Sequence, residues 1–408
     1  MPVERHSDTV EITGHIIDSL ILPKILDEIV DAGAEYEVLE FSIGKTHTDP
    51  SYARIQLWAS SEEILEELVG RLNRHGASAV QTGEATLVAA DMDGAFPPDF
   101  YSTTNLSTQV RIDGRWISVE NPEMDCGIVV EDGRAFTIPM SDVVKGQMIV
   151  TGHPGIKVNP LERPREQGLF EFMASDVSAE KPKELQVERV ADQIRRVREA
   201  GRKILWVVGP ALIHTGSGPE LSRLVEGGWV DVLFAGNGFA THDIESNLYG
   251  TSLGIHLHEG APVEAGHEHH IRAINAIRRA GSIKAAVEQG LVKGGVMHSL
   301  VRNDIPYVLG GSVRDDGPLP DTITDVIDAQ RQMRAHVKDV GIAVMVASML
   351  HGIATGNILP GAAQIVCVDI NPATVTKLAD RGSMQSVGLV TDVGLFVKEL
   401  AALLVGRV

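Results

Sequence analysis

"VDVLFAGNGFATHDIE", residues 230–245, is the stretch whose reading decides the fold. Its first half is a short apolar run without polar alternation, the pattern of a strand buried on both faces, as in parallel sheets covered by helices. Its second half opens with two glycines around an Asn, the composition of a tight passage from strand into helix. The same apolar pattern recurs in "KILWVVGPAL" (203–212), "IPYVLGGSV" (305–313), "GIAVMVASML" (341–350) and "AQIVCVDI" (363–370). Helical spacing separates several of them, in "EHHIRAINAIRRAG" (268–281) and "TITDVIDAQRQMRAHVKDVG" (322–341). Residues 161–408 therefore read as an α/β domain of Rossmann-like type with a parallel sheet.

Upstream the periods differ. "TVEITGHII", "PKILDEIVDAG", "AEYEVLEFSIG", "SYARIQLWA", "SSEEILEELVGRLNRHG" and "ATLVAA" alternate strand and helix in βαββαβ order, which predicts a ferredoxin-like α+β domain over 1–98. Ser61 stands as its second helix's cap, and Gly33 and Gly76 as helix stops. Over 99–160 the helical period vanishes. "QVRIDGRWISV", "DCGIVVEDGRAFTIPM" and "GQMIVTG" are short runs, two of them broken by Asp-Gly, so a small β-rich module with hairpins is expected. The polar, proline-bearing "NPLERPREQGLFEFMASDVSAEKP" (159–182) reads as a connector.

Composition narrows the function. The chain has 408 residues and a formal charge of -19, from 55 acids against 36 Lys and Arg, which repels phosphate backbones and argues against a nucleic-acid partner. No apolar stretch reaches the roughly 18 to 20 residues of a membrane span, and "MPVERHSDTVEITG" carries no signal-peptide pattern, so a cytoplasmic protein is expected. Cys126 and Cys367 lie far apart in apolar segments and read as buried thiols.

Ligands of open parallel sheets sit beyond the carboxyl ends of the strands. Those ends carry Gly236, Asn237 and Gly238; Arg314, Asp315 and Asp316; Met349, Leu350 and His351; Asp369; and Asp392. Glycines let backbone amides approach a pyrophosphate, and a strand-end carboxylate accepts from the ribose hydroxyls of a dinucleotide. The 236–241 stretch is not a full G-x-G-x-x-G, since Thr241 stands at the third glycine. A single strand-end acid reads equally well as a helix cap; five such ends on one sheet favour a dinucleotide site. Because Asp369 repels a 2′-phosphate, NAD is expected rather than NADP.

Histidines cluster in "HLHEG" (256–260) and "HEHH" (267–270). Without H-E-x-x-H or paired cysteines they read as a polar helix start or as substrate contacts, and no metal is expected. Nicotinamide chemistry needs a proton-transfer group. Lys293, alone between a helix end and a glycine pair, would serve if desolvated, or it simply complements a helix C-terminus; Glu245, His242 and Asp243 are its rivals.

Four stretches, "VERHSDTVEITGHIIDSLILPKILDEIVDAGAEYEVLEFSIGKTHTDPSYARIQL", "DFYSTTN", "AGNGFATHDIESNLYGTSLGI" and "IVCVDINPATVTKLADRGSMQSVGLVTDVG", resemble the lysine-oxoglutarate reductase/saccharopine dehydrogenase (LOR/SDH) conserved-region family along essentially the whole chain. Members of that family include NAD-dependent ornithine cyclodeaminases, which also form the C-terminal part of bifunctional arginine dihydrolases. The resemblance implies a C-terminal domain similar to deoxyhypusine synthase and a homo-oligomer, tetramer or dimer. It also implies NAD contacts at Asn237, Gly238, Asp316, Ser348, Met349, Leu350, His351, Asp369, Asp392 and Val393.

The implied reaction turns L-ornithine into L-proline and ammonia with a recycled NAD. Such a substrate wants a cation for its carboxylate, for which Arg314 or Lys45 would serve, and carboxylates for its ammonium groups, for which Asp315, Glu245 or Asp49 would serve. Lys293 is the first choice of proton shuttle and Glu245 the second. An enzyme acting on lysine or another diamino acid, and a regulatory protein that binds NAD without chemistry, are the alternatives.

Overall fold

A computed structural model describes residues 6–17, 21–45, 49–79, 83–159, 183–252, 255–256, 268–315, 317–381 and 386–406. The connector at 160–182 and the histidines His258 and His267 lie outside these residues. The chain forms two compact units, Met1–Ala174 and Ser175–Val408.

The first unit begins with β1 (His6–Gly14), α1 (Ile21–Asp31), β2 (Glu35–Ser42), β3 (Ser51–Ala59), α2 (Glu62–Arg74) and β4 (Ser78–Ala79). The sheet order β2-β3-β1-β4, antiparallel throughout, is the ferredoxin-like arrangement that the alternating periods predict. In β3 alternate residues Ser51, Ala53, Ile55, Leu57 and Ala59 are buried, giving the strand one apolar face. Ser61 caps α2 by accepting from the Ile64 amide, and Gly76 ends the turn beyond it with φ +90°.

One strand sits elsewhere than its position in the βαββαβ order suggests. The run "ATLVAA" contributes β5 (Thr86–Ala89), which pairs with a strand of the second sheet, and the two-residue β4 closes the first sheet instead. A period of two shows that a segment is a strand, but not which sheet edge it joins.

The second sheet adds β6 (Ser107–Ile112), β7 (Arg115–Glu120), β8 (Gly127–Glu131), β9 (Arg134–Ile138), β10 (Met148–Thr151) and β11 (Ile156–Asn159), in the order β11-β6-β7-β9-β8-β10-β5. Both Asp-Gly pairs make two-residue hairpin turns. Asp113 and Gly114 have φ 51° and 76°, and Asp132 and Gly133 have φ 49° and 73°, so all four central residues are left-handed as a type I′ turn requires.

The second unit holds α3 (Lys183–Glu199), β12 (Lys203–Val208), α4 (Ala211–His214), α5 (Gly218–Glu226), β13 (Val232–Gly236), α6 (Asn237–Tyr249), β14 (Thr251–Ser252), β15 (Ile255–His256), α7 (His269–Ala280), α8 (Ile283–Glu288), α9 (Val296–Arg302), β16 (Tyr307–Gly310), β17 (Thr322–Ile323), α10 (Val326–His336), β18 (Val340–Val346), α11 (Met349–Ile358), β19 (Gln364–Asp369), α12 (Pro372–Arg381), β20 (Ser386–Val390) and α13 (Val393–Leu404). Seven parallel strands run in the order β17-β16-β13-β12-β18-β19-β20.

Successive side chains of β12 serve two cores. Ile204, Trp206 and Val208 pack into one, while Leu205 and Val207 pack into the other. Each fully buried apolar side chain of this kind contributes about 1.5 to 3 kcal/mol. This two-faced burial is why the strands read as unbroken apolar runs.

Cys126 and Cys367 are both free and buried. Burial pushes the Cys367 thiol up to about 12, so it is inert at neutral pH. Among the described residues no helix is long and apolar enough to cross a membrane.

Candidate functional site

The chain order of the strands reverses between β12 and β18, which makes the crevice beyond their carboxyl ends the switch point of the sheet. There the two strands come unusually close. The Gly209 amide donates to the Val346 carbonyl at 2.9 Å, and a Cβ on Gly209 would stand 1.7 Å from the Ala347 oxygen. Ala347 itself has φ 50°, a left-handed conformation that costs a non-glycine residue on the order of 1 to 3 kcal/mol and concentrates at functional sites. The strained residue delivers the chain into α11, whose cap residue Ser348 does not cap the first turn with its side chain. A helix start without a side-chain cap is the kind of backbone a pyrophosphate can meet.

On the other side of the switch point β13 runs into α6. The Asn237 side chain turns inward: its oxygen accepts from the Leu319 amide at 3.0 Å and from the Thr322 and Thr241 hydroxyls at 3.2 and 3.4 Å, and its nitrogen donates to Asp315 at 3.2 Å. The side chain thus anchors the loop after β16. Thr241, at the third-glycine position of the motif, belongs to this network. Gly238 has room for a Cβ, with only Pro210 at 4.0 Å.

His351 of α11 lies across the ends of β13 and β16. A Cβ at Gly236 would meet its ring at 3.1 Å and one at Gly310 at 2.9 Å, so these two strands must end in glycine to admit the imidazole. Burial lowers the His351 pKa, partly offset by the Asp315 carboxylate.

Asp369, the last residue of β19, spends Oδ1 on the Asn371 amide at 2.8 Å. Its neighbour Ile370 is 72% exposed, and Leu350, on the first turn of α11, is 80% exposed. Two large apolar side chains at strand ends give a flat apolar ring surfaces to lie against. Asp392 caps α13 by accepting from the Leu395 amide at 2.9 Å, and Val393 behind it is buried. Asp316 lies outside the described residues. These features fit a dinucleotide: a close-packed switch point, an open helix start, a strand-end carboxylate and exposed apolar side chains.

A second layer lies one to two turns along α6. Glu245 is fully buried; its Oε2 is 2.8 Å from His242 Nδ1, and its Oε1 accepts from the Thr251 hydroxyl at 2.9 Å. Thr251 Oγ1 is in turn 2.8 Å from His269 Nδ1, and Ser252 Oγ, on the same short strand, is 2.7 Å from His214 Nδ1. The His214 and His242 rings meet edge to face at 4.8 Å, and His270 lies beyond at 6.4 Å from His242. Burial first, and then the neighbouring His242, lower the His214 pKa to about 4, so His214 is neutral at pH 7. Sequence reading missed His214, Thr251 and Ser252; "GPALIH", following the β12 run, is a strand end that could have flagged the first of them. Among the described residues no group of three or more His, Cys, Asp or Glu is placed to hold a metal ion.

The remaining candidates scatter. Asp243 is buried on the opposite side of α6, where its two oxygens accept from the Val296 and Met297 amides at 2.9 and 2.8 Å and so close the start of α9. Lys293 is not desolvated: its side chain is exposed, and its backbone amide donates to Asn247 at 3.1 Å. Asn247 is ten residues beyond Asn237, about 15 Å along the helix at 1.5 Å per residue. Arg314 is exposed, with its amide donating to Ser312 Oγ at 3.1 Å, beside Asp315, whose Oδ2 accepts from the Ser312 amide at 2.7 Å. Lys45 and Asp49 lie in the first unit, on the loop from β2 to β3, with Lys45 exposed.

Comparison with known proteins adds a second line. Residues 188–400 match the family described as arginine dihydrolase ArgZ-like, C-terminal, Rossmann fold; residues 107–187 match its C-terminal first region; and residues 7–106 match the LOR/SDH bifunctional enzyme conserved region. The chain is 53% identical over 391 residues to an ornithine cyclodeaminase of Methanothermobacter thermautotrophicus, covering 95% of each chain. A solved LOR/SDH protein of Methanococcus maripaludis is 51% identical with TM-score 0.75, covering 79% of this chain and 98% of that one. The solved ternary complex of AgrE with ornithine and NAD+ is 43% identical with TM-score 0.54, covering 98% of this chain and 58% of that one. AgrE of Nostoc sp. is a bifunctional arginine dihydrolase/ornithine cyclodeaminase.

Proposed function

The chain belongs to the ArgZ-like, LOR/SDH conserved-region family, and from that premise we propose that it is an NAD-dependent ornithine cyclodeaminase that releases L-proline and ammonia. The observation that carries the reading is the pair of buried Glu245 and partly buried His242, one to two helical turns from a strand-end crevice that fits a dinucleotide.

In this reading the backbone at Asn237 and Gly238 and the α11 start at Ser348, Met349, Leu350 and His351 hold NAD, with Asp369 at its ribose and Asp392 and Val393 bordering it. Bound there, NAD supplies an acceptor that takes a hydride from the substrate and later returns it. The chain's own residues handle charge and protons. Arg314 meets the substrate carboxylate, and Asp315 meets an ammonium group. Both ammonium nitrogens carry protons at neutral pH, and the δ-nitrogen bonds to the α-carbon only through a free lone pair. His242, held by Glu245, takes that proton and returns it to the departing α-nitrogen, which leaves as ammonia. Lys293, exposed on the loop before α9 and tied by its backbone to Asn247 near the far end of α6, is the weaker proton shuttle.

We further place the protein in the cytoplasm, in proline formation from ornithine, and in a homo-oligomer, tetramer or dimer. Support for an oligomer comes from β2, an edge strand on which Tyr36, Val38, Leu39 and Phe41 are all exposed.

The test is to incubate the purified protein with isotopically labelled L-ornithine, with and without added NAD, and to follow proline, ammonia and NADH. Proline and ammonia in equal amounts with no net NADH is the expected result; NAD retained without any proline overturns the reading.

A further inference from the structure

The Glu245–His242 pair does not stand alone. The two residues of β14, Thr251 and Ser252, each place a hydroxyl on an imidazole Nδ1, and both are buried. A carboxylate only accepts, so with Glu245 ionised the three bonds along one arm run in a single direction. His242 Nδ1–H donates to Oε2, Thr251 O–H donates to Oε1, and the Thr251 oxygen, its proton committed, accepts from His269 Nδ1–H. That polarity fixes both imidazoles as Nδ1–H tautomers and leaves each Nε2 as a base.

Resting on the proposed cyclodeaminase reading, we infer that Thr251 and His269 are positioning residues that hold Glu245 as the counter-charge of His242, so that His242 alone of the two edge-packed imidazoles stores the substrate's proton. The reaction needs a store and no net outlet. Ornithine enters with two ammonium groups and one carboxylate; proline and an ammonium ion leave with the same number of protons. The α-ammonium releases one proton to water so that its lone pair can expel the hydride, and the δ-ammonium lends one to Nε2. The δ-nitrogen–α-carbon bond forms, and the bond from the α-carbon to the α-nitrogen breaks as the proton on Nε2 goes to the departing nitrogen. That nitrogen leaves as ammonium with the proton the ring nitrogen sheds, and the returned hydride and the proton from water complete proline. The Glu245–His242 pair keeps the lent proton in place between those steps. His214 is the weaker store, since its hydrogen-bond partner is the neutral Ser252 hydroxyl and the Glu245 charge reaches it only across space. This is the logic by which a carboxylate behind a catalytic imidazole fixes its tautomer and stabilises its charged form.

Among the described residues the ionisable groups around this arm are His214 on α4, His242 on α6, Glu268 at the cap of α7, and His269 and His270 on α7, with the Tyr249 ring stacked on His269 at 4.7 Å. Asp243 faces α9 and takes no part.

The experiment compares Thr251→Val, Thr251→Ser and His269→Asn with the wild type in the full-length, NAD-loaded protein. Expected for Thr251→Val is a kcat lower by about 10- to 100-fold, the usual cost of losing the partner behind a functional imidazole. KM for ornithine and NAD affinity should stay within about twofold, the acid limb of the kcat–pH profile should move, and Thr251→Ser should restore both kcat and the limb. An independent readout is 15N NMR of histidine-labelled protein, with signals assigned by single substitutions. The wild type should show His242 and His269 as Nδ1–H tautomers, and Thr251→Val should release His269 from that form. Thr251→Val with wild-type kcat and profile, or wild-type His242 and His269 found as Nε2–H tautomers, overturns the inference. Should Thr251→Val not fold, Thr251→Ser and the wild-type tautomers still decide it. A wild type that makes no proline yet shows both Nδ1–H tautomers defeats the substrate reading and leaves the positioning intact.

Discussion

Helix α6 buries two carboxylates two residues apart, and its two faces use them for different ends. On one face Asp243 meets only backbone amides, those of Val296 and Met297, at the start of α9. On the other Glu245 meets side chains that carry protons, His242 and Thr251. Residues two apart on a helix point about 200° apart, so the sequence "THDIE" separates the two tasks by geometry alone. Burial of an acid therefore says little about function. The partner decides: an amide fixes a charge for structure, while an imidazole that the carboxylate orients can take up and return a proton.

The largest effect that sharpens this contrast is on turnover. Glu245→Gln keeps the shape and removes the charge, so kcat should fall by about 10²- to 10⁴-fold, the usual range for a group in general acid–base catalysis, with NAD still bound. Steady-state kinetics together with a cofactor-binding titration check it, and a loss under tenfold would erase the functional half of the comparison.

Asp243 should behave in the opposite way. Asp243→Ala leaves two amides at the start of α9 without acceptors, at roughly 1 to 3 kcal/mol each before the cost of burying the charge is recovered, so a net loss of about 2 to 4 kcal/mol is expected. Chemical denaturation measures it. The kcat of the folded fraction should change by less than about fivefold.

The pH dependence of stability separates the faces more finely. Burial raises the Asp243 pKa to about 6 against 3.8 for the free side chain, with the Met297 and Val296 amides opposing. The native state therefore holds its proton longer than the unfolded state, and this group makes stability fall as pH rises from about 3.8 through 6. His214 has the reverse sign. Its pKa, lowered from 6.5 to about 4, makes the unfolded state bind the extra proton, so this group makes stability rise as pH goes from about 4 through 6.5. In the wild type the two slopes oppose each other over most of that window. Relative to wild type, His214→Asn should show a midpoint of thermal unfolding that declines more between pH 4 and 6, and Asp243→Asn one that climbs more. Both variants shifting in the same direction would break the assignment.

These two faces were unequally legible in the sequence. The parallel sheet declared itself through unbroken apolar runs, because burial on both faces removes alternation, and the two hairpins declared themselves through Asp113-Gly114 and Asp132-Gly133, because few residues accept left-handed φ. The strand ends followed from the sheet. What lay hidden depends on contacts between distant segments. Thr251 is eighteen residues from His269 and Ser252 thirty-eight from His214, and nothing local marks those pairs. Nor does alanine advertise a left-handed turn, so the strain at Ala347 is visible only where β12 and β18 crowd together. The sequence order puts Thr86–Ala89 in the first sheet and the fold puts it in the second for a similar reason, since alternation makes a strand without choosing its neighbour.

Lys293 gives the smallest expected effect and the sharpest check on that lesson. The sequence made it attractive because a lysine beside Gly294 and Gly295 could have been enclosed, and an enclosed ammonium loses its proton easily. The fold instead ties its backbone to Asn247, two residues beyond Glu245, and leaves the side chain exposed. An exposed ammonium keeps its hydration, so the enclosure that the glycine pair suggests is not there. Lys293→Ala should therefore keep kcat and KM within about twofold of wild type, while Glu245→Gln in the same assay does not. Loss of turnover in Lys293→Ala with the fold and NAD binding intact would mean that the lysine is enclosed in the working protein, and that the chemical face of α6 extends past Glu245 to Asn247.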